Sequence, residues 1–123
     1  MKKKETENKE IVKNIIEGIQ EKKGKNIVVV DFSKLPDAPS SYFVICQGDS
    51  NTQVSSIATS IKDYVNEKIK VKPLATDGFE NCQWIAMDYG QIIVHVFQRA
   101  YREFYDLEHL WEDAQLNRIP DIV

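Results

Sequence analysis

The chain has 123 residues, of which 42% are hydrophobic and 28% charged, with a formal net charge of −3. This length and balance are typical of one soluble globular domain with its own core. No apolar run approaches the roughly 20 residues that cross a bilayer. The basic start over residues 2–4 is followed by Glu5 and Glu7 rather than an apolar segment, so no signal peptide is expected.

The charge is unevenly distributed along the chain. Residues 1–25 hold 8 Lys against 5 Glu, whereas residues 77–123 hold 9 acidic residues against 3 Arg, a net −6. An acidic region repels phosphate backbones and attracts basic partners. Two interpretations stay open: a surface for a basic partner, or a solvated acidic surface that serves solubility.

Hydrophobic periodicity predicts three helices. Apolar residues at helical spacing place the first over residues 6–23. A capping box at Ser50–Gln53 opens the second, which is expected to end near residue 68. A last helical segment is expected from about Ala100 to Leu116, either continuous or broken near Asp106.

Short runs rich in β-branched residues predict five strands, at residues 27–32, 42–47, 71–75, 84–87 and 92–97. The strand–helix–strand step over residues 42–75 suggests a parallel crossover, and the tight turn at Asp88–Gly90 makes the last two strands an antiparallel hairpin. The expected fold class is α/β, a single domain with a mixed sheet of about five strands flanked by helices. Its expected bounds are residues 6–116, between a flexible basic N-terminus over residues 1–5 and a C-terminal tail over residues 117–123.

Three candidate sites of chemistry each have a plainer structural explanation. Gly48-Asp49-Ser50 follows a strand and opens a helix, as an anion-binding loop would. It lacks the additional Gly and the nearby Lys or Arg of a phosphate loop, so a helix cap is favoured. His95 lies in an apolar strand and is expected to be partly buried and hydrogen-bonded rather than catalytic. A nucleophilic Cys46–His95 pair stays open as an alternative, because such partners converge only in space.

The carboxylates needed for metal-dependent nucleotidyl transfer are missing. That chemistry needs paired acids on a strand, yet Asp88 is the only acid in residues 84–88, and no Asp-x-Asp pattern occurs. A non-enzymatic protein without cofactor or metal is therefore favoured over a nucleotide-binding or nucleotidyltransferase-like enzyme. The acidic residues 77–123 count against a direct RNA-binding protein. Cys46 and Cys82 have no metal or redox spacing, which favours a reducing cytoplasm.

The predicted hairpin suggests a recognition surface. A hairpin end is hard to bury completely, and exposed aromatic residues commonly anchor protein interfaces. We therefore expect Trp84, Asp88 and Tyr89 to lie together around one exposed end, with an acid beside them for a basic partner. The last helix supplies further candidates. The predicted partner-binding residues are Trp84, Asp88, Tyr89, Asp77, Arg102 and Tyr105.

An ordered series of short motifs covers nearly the whole chain, from about Ile11 to Ala114. The motifs are Gly48-x-Ser50-x-x-Gln53-Val54, Asp77-Gly78, Trp84-Ile85, Asp88-Tyr89-Gly90, Ile93-Val94-His95-Val96-Phe97 and Arg102-x-Phe104-Tyr105-x-Leu107-Glu108-x-Leu110-Trp111. In this order they resemble the ribosomal silencing factor (Iojap-like) family. The resemblance implies a small α/β domain related in fold to nucleotidyltransferases but without their catalytic carboxylates.

The resemblance also implies a function. It implies binding to the large ribosomal subunit through its ribosomal protein fourteen, which blocks joining of the small subunit and lowers translation during starvation. It further implies that the free protein forms homodimers. We therefore expect a cytoplasmic translational repressor that acts by occupying its partner, with the Lys-rich first helix available for a peripheral contact with ribosomal RNA.

Overall fold

The computed structural model describes residues 2–122, and the side chains of residues 6–122. In this part of the chain, no helix is long and apolar enough to cross a membrane. A 3-10 turn at Leu107–His109 follows the last helix. The helices and strands are α1 (Lys2–Glu21), β1 (Lys25–Asp31), β2 (Tyr42–Gly48), α2 (Asn51–Ile69), β3 (Ala75–Asp77), β4 (Trp84–Asp88), β5 (Ile92–Gln98), α3 (Arg99–Tyr105) and β6 (Gln115–Ile119).

The strands form one mixed sheet in the order β3-β4-β5-β2-β1-β6. The pairing of β2 with β5 is parallel, and the other four pairings are antiparallel. The predicted α/β fold and the hairpin of β4 and β5 are thus confirmed, with six strands rather than five. The step from β2 through α2 leads to a strand of the same direction, but β4 and β5 lie between β2 and β3.

The two ends of the chain differ from the prediction. Helix α1 begins at Lys2 rather than near residue 6, so the backbone of residues 2–5, predicted to be flexible, is helical, and Met1 lies outside the described residues. At the other end, residues 117–119 belong to the edge strand β6, which pairs with β1, rather than to a tail. The third strand is also displaced, from residues 71–75 to β3.

The last predicted helix is much shorter than expected. Helix α3 ends at Tyr105 because Asp106 adopts a left-handed backbone with φ of 48°. Leu107, Leu110 and Trp111 have helical spacing, which suggested a continuous helix, but Leu110 is 63% exposed. The break near Asp106, one of the two predicted alternatives, is the one that the structure adopts.

The two faces of the sheet are covered unequally. Helices α1 and α2 pack side by side on one face, where the Ser60 hydroxyl donates to the Gly18 carbonyl at 2.8 Å. The large core lies beneath them and contains Ile15, Ile57, Val44 and Val94. Residues 107–116 cover only part of the opposite face. A smaller core lies there, formed by Val28, Val30, Phe32, Phe43, Ile45 and Phe97.

We call this second side of the sheet the open face. Successive side chains of a strand point to opposite faces. Trp84, Ala86 and Asp88 of β4 therefore lie on the open face and are half-buried, whereas Ile85 and Met87 are buried under the helices. The exposed strand β3 continues the open face to the edge of the sheet.

Two glycines adopt positive φ around the β4 strand, and they do so for different reasons. Gly90, with φ of 90°, lies in the turn, where its N–H donates to the Asp88 carboxylate at 2.7 Å. A Cβ at Gly90 would meet no atom within 4 Å. Gly78 has φ of 96°, and its Cβ would lie 2.0 Å from the Trp84 carbonyl oxygen. Both the backbone conformation at position 78 and the close packing against Trp84 therefore require a glycine.

This difference predicts unequal costs for the same substitution. Gly90→Ala should lower the free energy of unfolding by about 1–2 kcal/mol, the cost of a left-handed L-residue. Gly78→Ala should cost clearly more, because the backbone at Trp84 must also move. Urea unfolding followed by circular dichroism measures both variants. Equal losses would contradict the close packing of Gly78 against β4.

Candidate partner-binding surface

The predicted cluster of Trp84, Asp88 and Tyr89 does not form. Trp84 opens β4 and pairs with Phe97, whereas Asp88 ends β4 and pairs with Ile93. Four residue steps at about 3.3 Å each put Trp84 and Asp88 about 13 Å apart. The expectation that one exposed end holds all three residues is therefore wrong, because the first residue of a hairpin lies farthest from its turn.

Tyr89 is buried rather than exposed. It follows Ile85 and Met87 on the helix-covered side and is 6% exposed. Burial raises the pKa of its phenol to about 12, and its hydroxyl has no hydrogen-bond partner among the described residues. The predicted exposure of Tyr89 is thus wrong, and a direct contact with a partner would require the hairpin end to open.

Arg102 is also buried, with 6% of its surface exposed. Its guanidinium forms a two-point ion pair with Glu108, with Nη2–Oε2 at 2.8 Å and Nε–Oε1 at 3.4 Å. Nη1 donates to the Gln47 side-chain oxygen at 3.3 Å and to the Asn26 carbonyl. The predicted exposure of Arg102 to a partner is therefore wrong, because these contacts turn it inward, where it joins α3 to the sheet.

The structure instead brings aromatic residues together at the start of β4. Trp84 stacks on Phe97 with ring centroids 4.8 Å apart, and Tyr105 lies 4.9 Å from Trp84 in a tilted contact. Phe104 meets Tyr105 edge-on at 5.1 Å. Exposed fractions are 80% for Phe104, 46% for Tyr105 and 36% for Tyr101. We call Trp84, Tyr101, Phe104 and Tyr105 the aromatic patch.

The aromatic patch contains two of the predicted residues and two that the sequence analysis missed. Large apolar residues along a helix usually face a core, so the sequence alone does not single out Tyr101 and Phe104 as surface residues. Helix α3 has only seven residues and only Arg102 of them is buried, so its aromatic side chains remain outside. The predicted break near Asp106 was the available indication that this helix is too short to bury a full stripe.

A shallow groove lies within the aromatic patch. Its volume is about 200 Å³, and Gly78, Asn81, Gln83, Trp84, Tyr101 and Tyr105 line it. This volume is below that of typical small-molecule sites and suits a single side chain of a partner. Asp77 precedes Gly78, is exposed and pairs with Ala86 two residues beyond Trp84. Asp77 is thus a neighbour of the groove and does not line it.

His95 lies beneath the aromatic patch. The Trp84 indole Nε1–H donates to His95 Nδ1 at 3.1 Å, and the Phe43 ring packs edge-on against His95 at 4.7 Å. His95 is 7% exposed, and burial lowers its pKa to about 4. The predicted burial of His95 is confirmed, but only one ring nitrogen is hydrogen-bonded, because Nε2 has no partner among the described residues.

The alternative of a Cys46–His95 nucleophilic pair is wrong. Cys46 belongs to the core under the helices, whereas its neighbour in sequence, Ile45, pairs with His95 on the open face. The two side chains therefore lie on opposite sides of the sheet. Burial also raises the pKa of the Cys46 thiol to about 12, which disfavours the reactive thiolate.

The segment Gly48-Asp49-Ser50 is a helix cap, as predicted. The Ser50 hydroxyl accepts from the Gln53 N–H at 3.1 Å, and the Gln53 side-chain oxygen accepts from the Asp49 N–H at 2.7 Å. The Asp49 carboxylate lies 3.8 Å from Lys25 Nζ. Within residues 6–122, no three His, Cys, Asp or Glu side chains are grouped to hold a metal ion.

The buried ion pair predicts a large stability effect. Arg102→Met leaves the Glu108 carboxylate buried without its partner, which commonly costs about 3–5 kcal/mol. Arg99→Met is the matched control, because its ion pair with Glu103 is exposed and should contribute less than about 1 kcal/mol. Urea unfolding of both variants measures the difference. A loss for Arg102→Met as small as that of the control would contradict the structural role.

The lowered pKa of His95 predicts a pH-dependent stability. The pKa of His95 is 6.5 in its ordinary state and about 4 in the folded chain. Between these two pH values, the unfolded chain is protonated at His95 and the folded chain is not. Folding should therefore lose about 3 kcal/mol from this residue as the pH falls through that window. His95→Leu should remove this component, whereas His109→Leu, at an exposed site, should retain it. Identical pH profiles for wild type and His95→Leu would contradict the burial.

The chain is similar to known proteins over nearly its whole length. The family model described as "Ribosomal silencing factor during starvation" matches residues 5–123. Ribosomal silencing factor RsfS of Bacillus subtilis is 38% identical over 109 residues, which cover 88% of this chain and 90% of that protein. Crystal structures of proteins from Chromobacterium violaceum and Bacillus halodurans superpose with TM-scores of 0.78 and 0.73, at 36% and 27% identity. They cover 85% and 94% of this chain, and 85% and 98% of the respective matched chains. The chain therefore belongs to the ribosomal silencing factor family.

Proposed function

We propose that this protein is a translational repressor that binds the large ribosomal subunit through its ribosomal protein fourteen. Bound there, it sterically blocks joining of the small subunit and acts without catalysis in the cytoplasm. Family membership supports this function. The observation that carries the docking site is the aromatic patch on the open face, with the exposed Asp77 on the neighbouring strand.

The proposed interface has an aromatic centre. Phe104 and Tyr105 lose exposed apolar surface on docking, and Trp84 fills the space behind them. Truncating an aromatic residue at the centre of an interface commonly costs about 2–4 kcal/mol of binding free energy. An interface of about 800 Å² per partner is the usual size, and it fits on one face of a domain of 123 residues.

The proposed interface is also acidic at its edge. Asp77 is exposed beside the groove, and residues 77–123 carry a net charge of −6. Such a charge accelerates encounter with a basic ribosomal protein and selects against other partners. Asp88 lies on the same face but at the far end of β4, so we assign it to the periphery. Arg102 supports the surface from inside, whereas Tyr89 lies under the helices at the other end of β4 and is left out of the proposed interface.

Two further contacts are proposed, one with ribosomal RNA and one with a second copy of the chain. Lys22 and Lys23 are exposed at the end of α1, which supports a peripheral contact with ribosomal RNA through the phosphate backbone. The free protein is proposed to form a homodimer, as the family resemblance implies. Neither contact is required for the steric block, which follows from occupancy of the large subunit alone.

Co-sedimentation with ribosomal subunits tests the proposed surface. Trp84→Ala should weaken binding to the large subunit by about 30- to 1,000-fold, because it removes a central anchor. Leu74→Ala is the matched control, since Leu74 is 77% exposed and its N–H bonds the Asp88 carbonyl at the far end of β4. This variant and Asp88→Asn should bind within about threefold of wild type.

The same experiment tests the docking surface and the steric-block mechanism by different outcomes. Normal binding by Trp84→Ala together with loss in Leu74→Ala would place the interface at the turn end of the hairpin instead. Equal occupancy of free large subunits and assembled ribosomes by the wild-type protein would contradict the steric block. The expected result is wild-type protein on the large subunit alone.

A further inference from the structure

The orientation of the Trp84 indole is set by one directional contact. Stacking on Phe97 and the tilted contact with Tyr105 restrain the plane of the ring, but neither distinguishes one edge of the indole from the other. The hydrogen bond from Trp84 Nε1–H to His95 Nδ1, at 3.1 Å, does make that distinction. Turning the indole over would leave this donor and this acceptor unpaired, which is unfavourable in a buried position.

We propose that His95 is a positioning residue of the docking surface, whose Nδ1 fixes the edge of Trp84 that meets the partner. This role rests on the proposed function, because it acts through an interface residue. His95 itself touches no partner, since it is 7% exposed and lies under Trp84 and Phe43. The contribution is preorganisation, which spares the interface the cost of ordering a rotamer on binding.

Because the imidazole of His95 stays neutral, its Nδ1 remains a hydrogen-bond acceptor for the Trp84 indole. Because Nδ1 accepts from Trp84, the proton of the neutral ring lies on Nε2. The burial that keeps this ring neutral at physiological pH also covers Nε2, which is left without a partner among the described residues. The neutral ring thus presents Nδ1 to Trp84 as an acceptor.

The polarity of the buried His95 ring argues against a role in packing alone. Burying a polar ring is less favourable than burying an apolar side chain of similar size. Leu at position 95 would also continue the apolar surface formed by Phe43 and Phe97. A histidine here serves packing poorly, but it supplies the acceptor that orients the indole.

Two substitutions separate orientation from stability. His95→Leu removes the acceptor and keeps an apolar side chain in place. His95→Asn places an amide oxygen on Cγ, where the histidine carries Nδ1, and so retains an acceptor. The free, full-length variants are compared by hydrogen exchange of the Trp84 indole N–H in NMR spectra, with Trp84→Phe to assign the resonance. Urea unfolding and co-sedimentation with the large subunit complete the comparison.

We expect His95→Leu to lose protection of the Trp84 indole N–H and to bind the large subunit about tenfold more weakly, without a matching loss of stability. His95→Asn should recover both the protection and most of the affinity. Wild-type affinity or a protected indole in His95→Leu would overturn the role of His95. The role would also be overturned if the unfolded fraction of His95→Leu accounted for its loss of affinity. It would be overturned as well if His95→Asn folded but did not recover the affinity. Failure of the wild type to bind would instead overturn the proposed function.

Discussion

The guanidinium of Arg102 joins three parts of the chain that are far apart in sequence. It binds Glu108 beyond the end of α3, the Gln47 side chain on β2 and the Asn26 carbonyl on β1. A seven-residue helix has little stability of its own, so this buried contact holds α3 against the sheet. Because the exposed side of α3 carries Phe104 and Tyr105, the same contact fixes where the aromatic patch lies.

The features predicted correctly are those that depend on local interactions. Helix α2 begins at its Ser50 cap, and the β4–β5 hairpin turns at Gly90, because both are specified within a few residues. The end of α3 and strand β6 depend on the left-handed Asp106 and on pairing with β1. Neither leaves a clear periodic pattern, so the sequence between Leu107 and Ile119 suggested a helix and a tail.

Single residues of the candidate site can be proposed from the sequence, but their arrangement cannot. The structure brings Trp84 and Tyr105 together, and Asp77 lies on the neighbouring strand. The error concerned distance and direction along a strand. Counting from the turn with alternating faces puts Tyr89 under the helices and Trp84 on the open face, a result that follows from the period of two. The exposure of Phe104 could not be predicted in this way, because it depends on how α3 is anchored.

The unequal covering of the sheet has a consequence for how such a protein could vary. In the proposed complex, a partner on the open face leaves α1 and α2 pointing outward, as a layer about 10 Å thick. A steric block of the small subunit would require only that this layer of helices be present and folded. Apart from the end of α1 near Lys22 and Lys23, the outward side chains of the two helices are then free to change in charge and size. Residues such as Gly18, where the two helices touch, are not. The protein would thus consist of a constrained docking side and an obstructing side whose surface is nearly unconstrained.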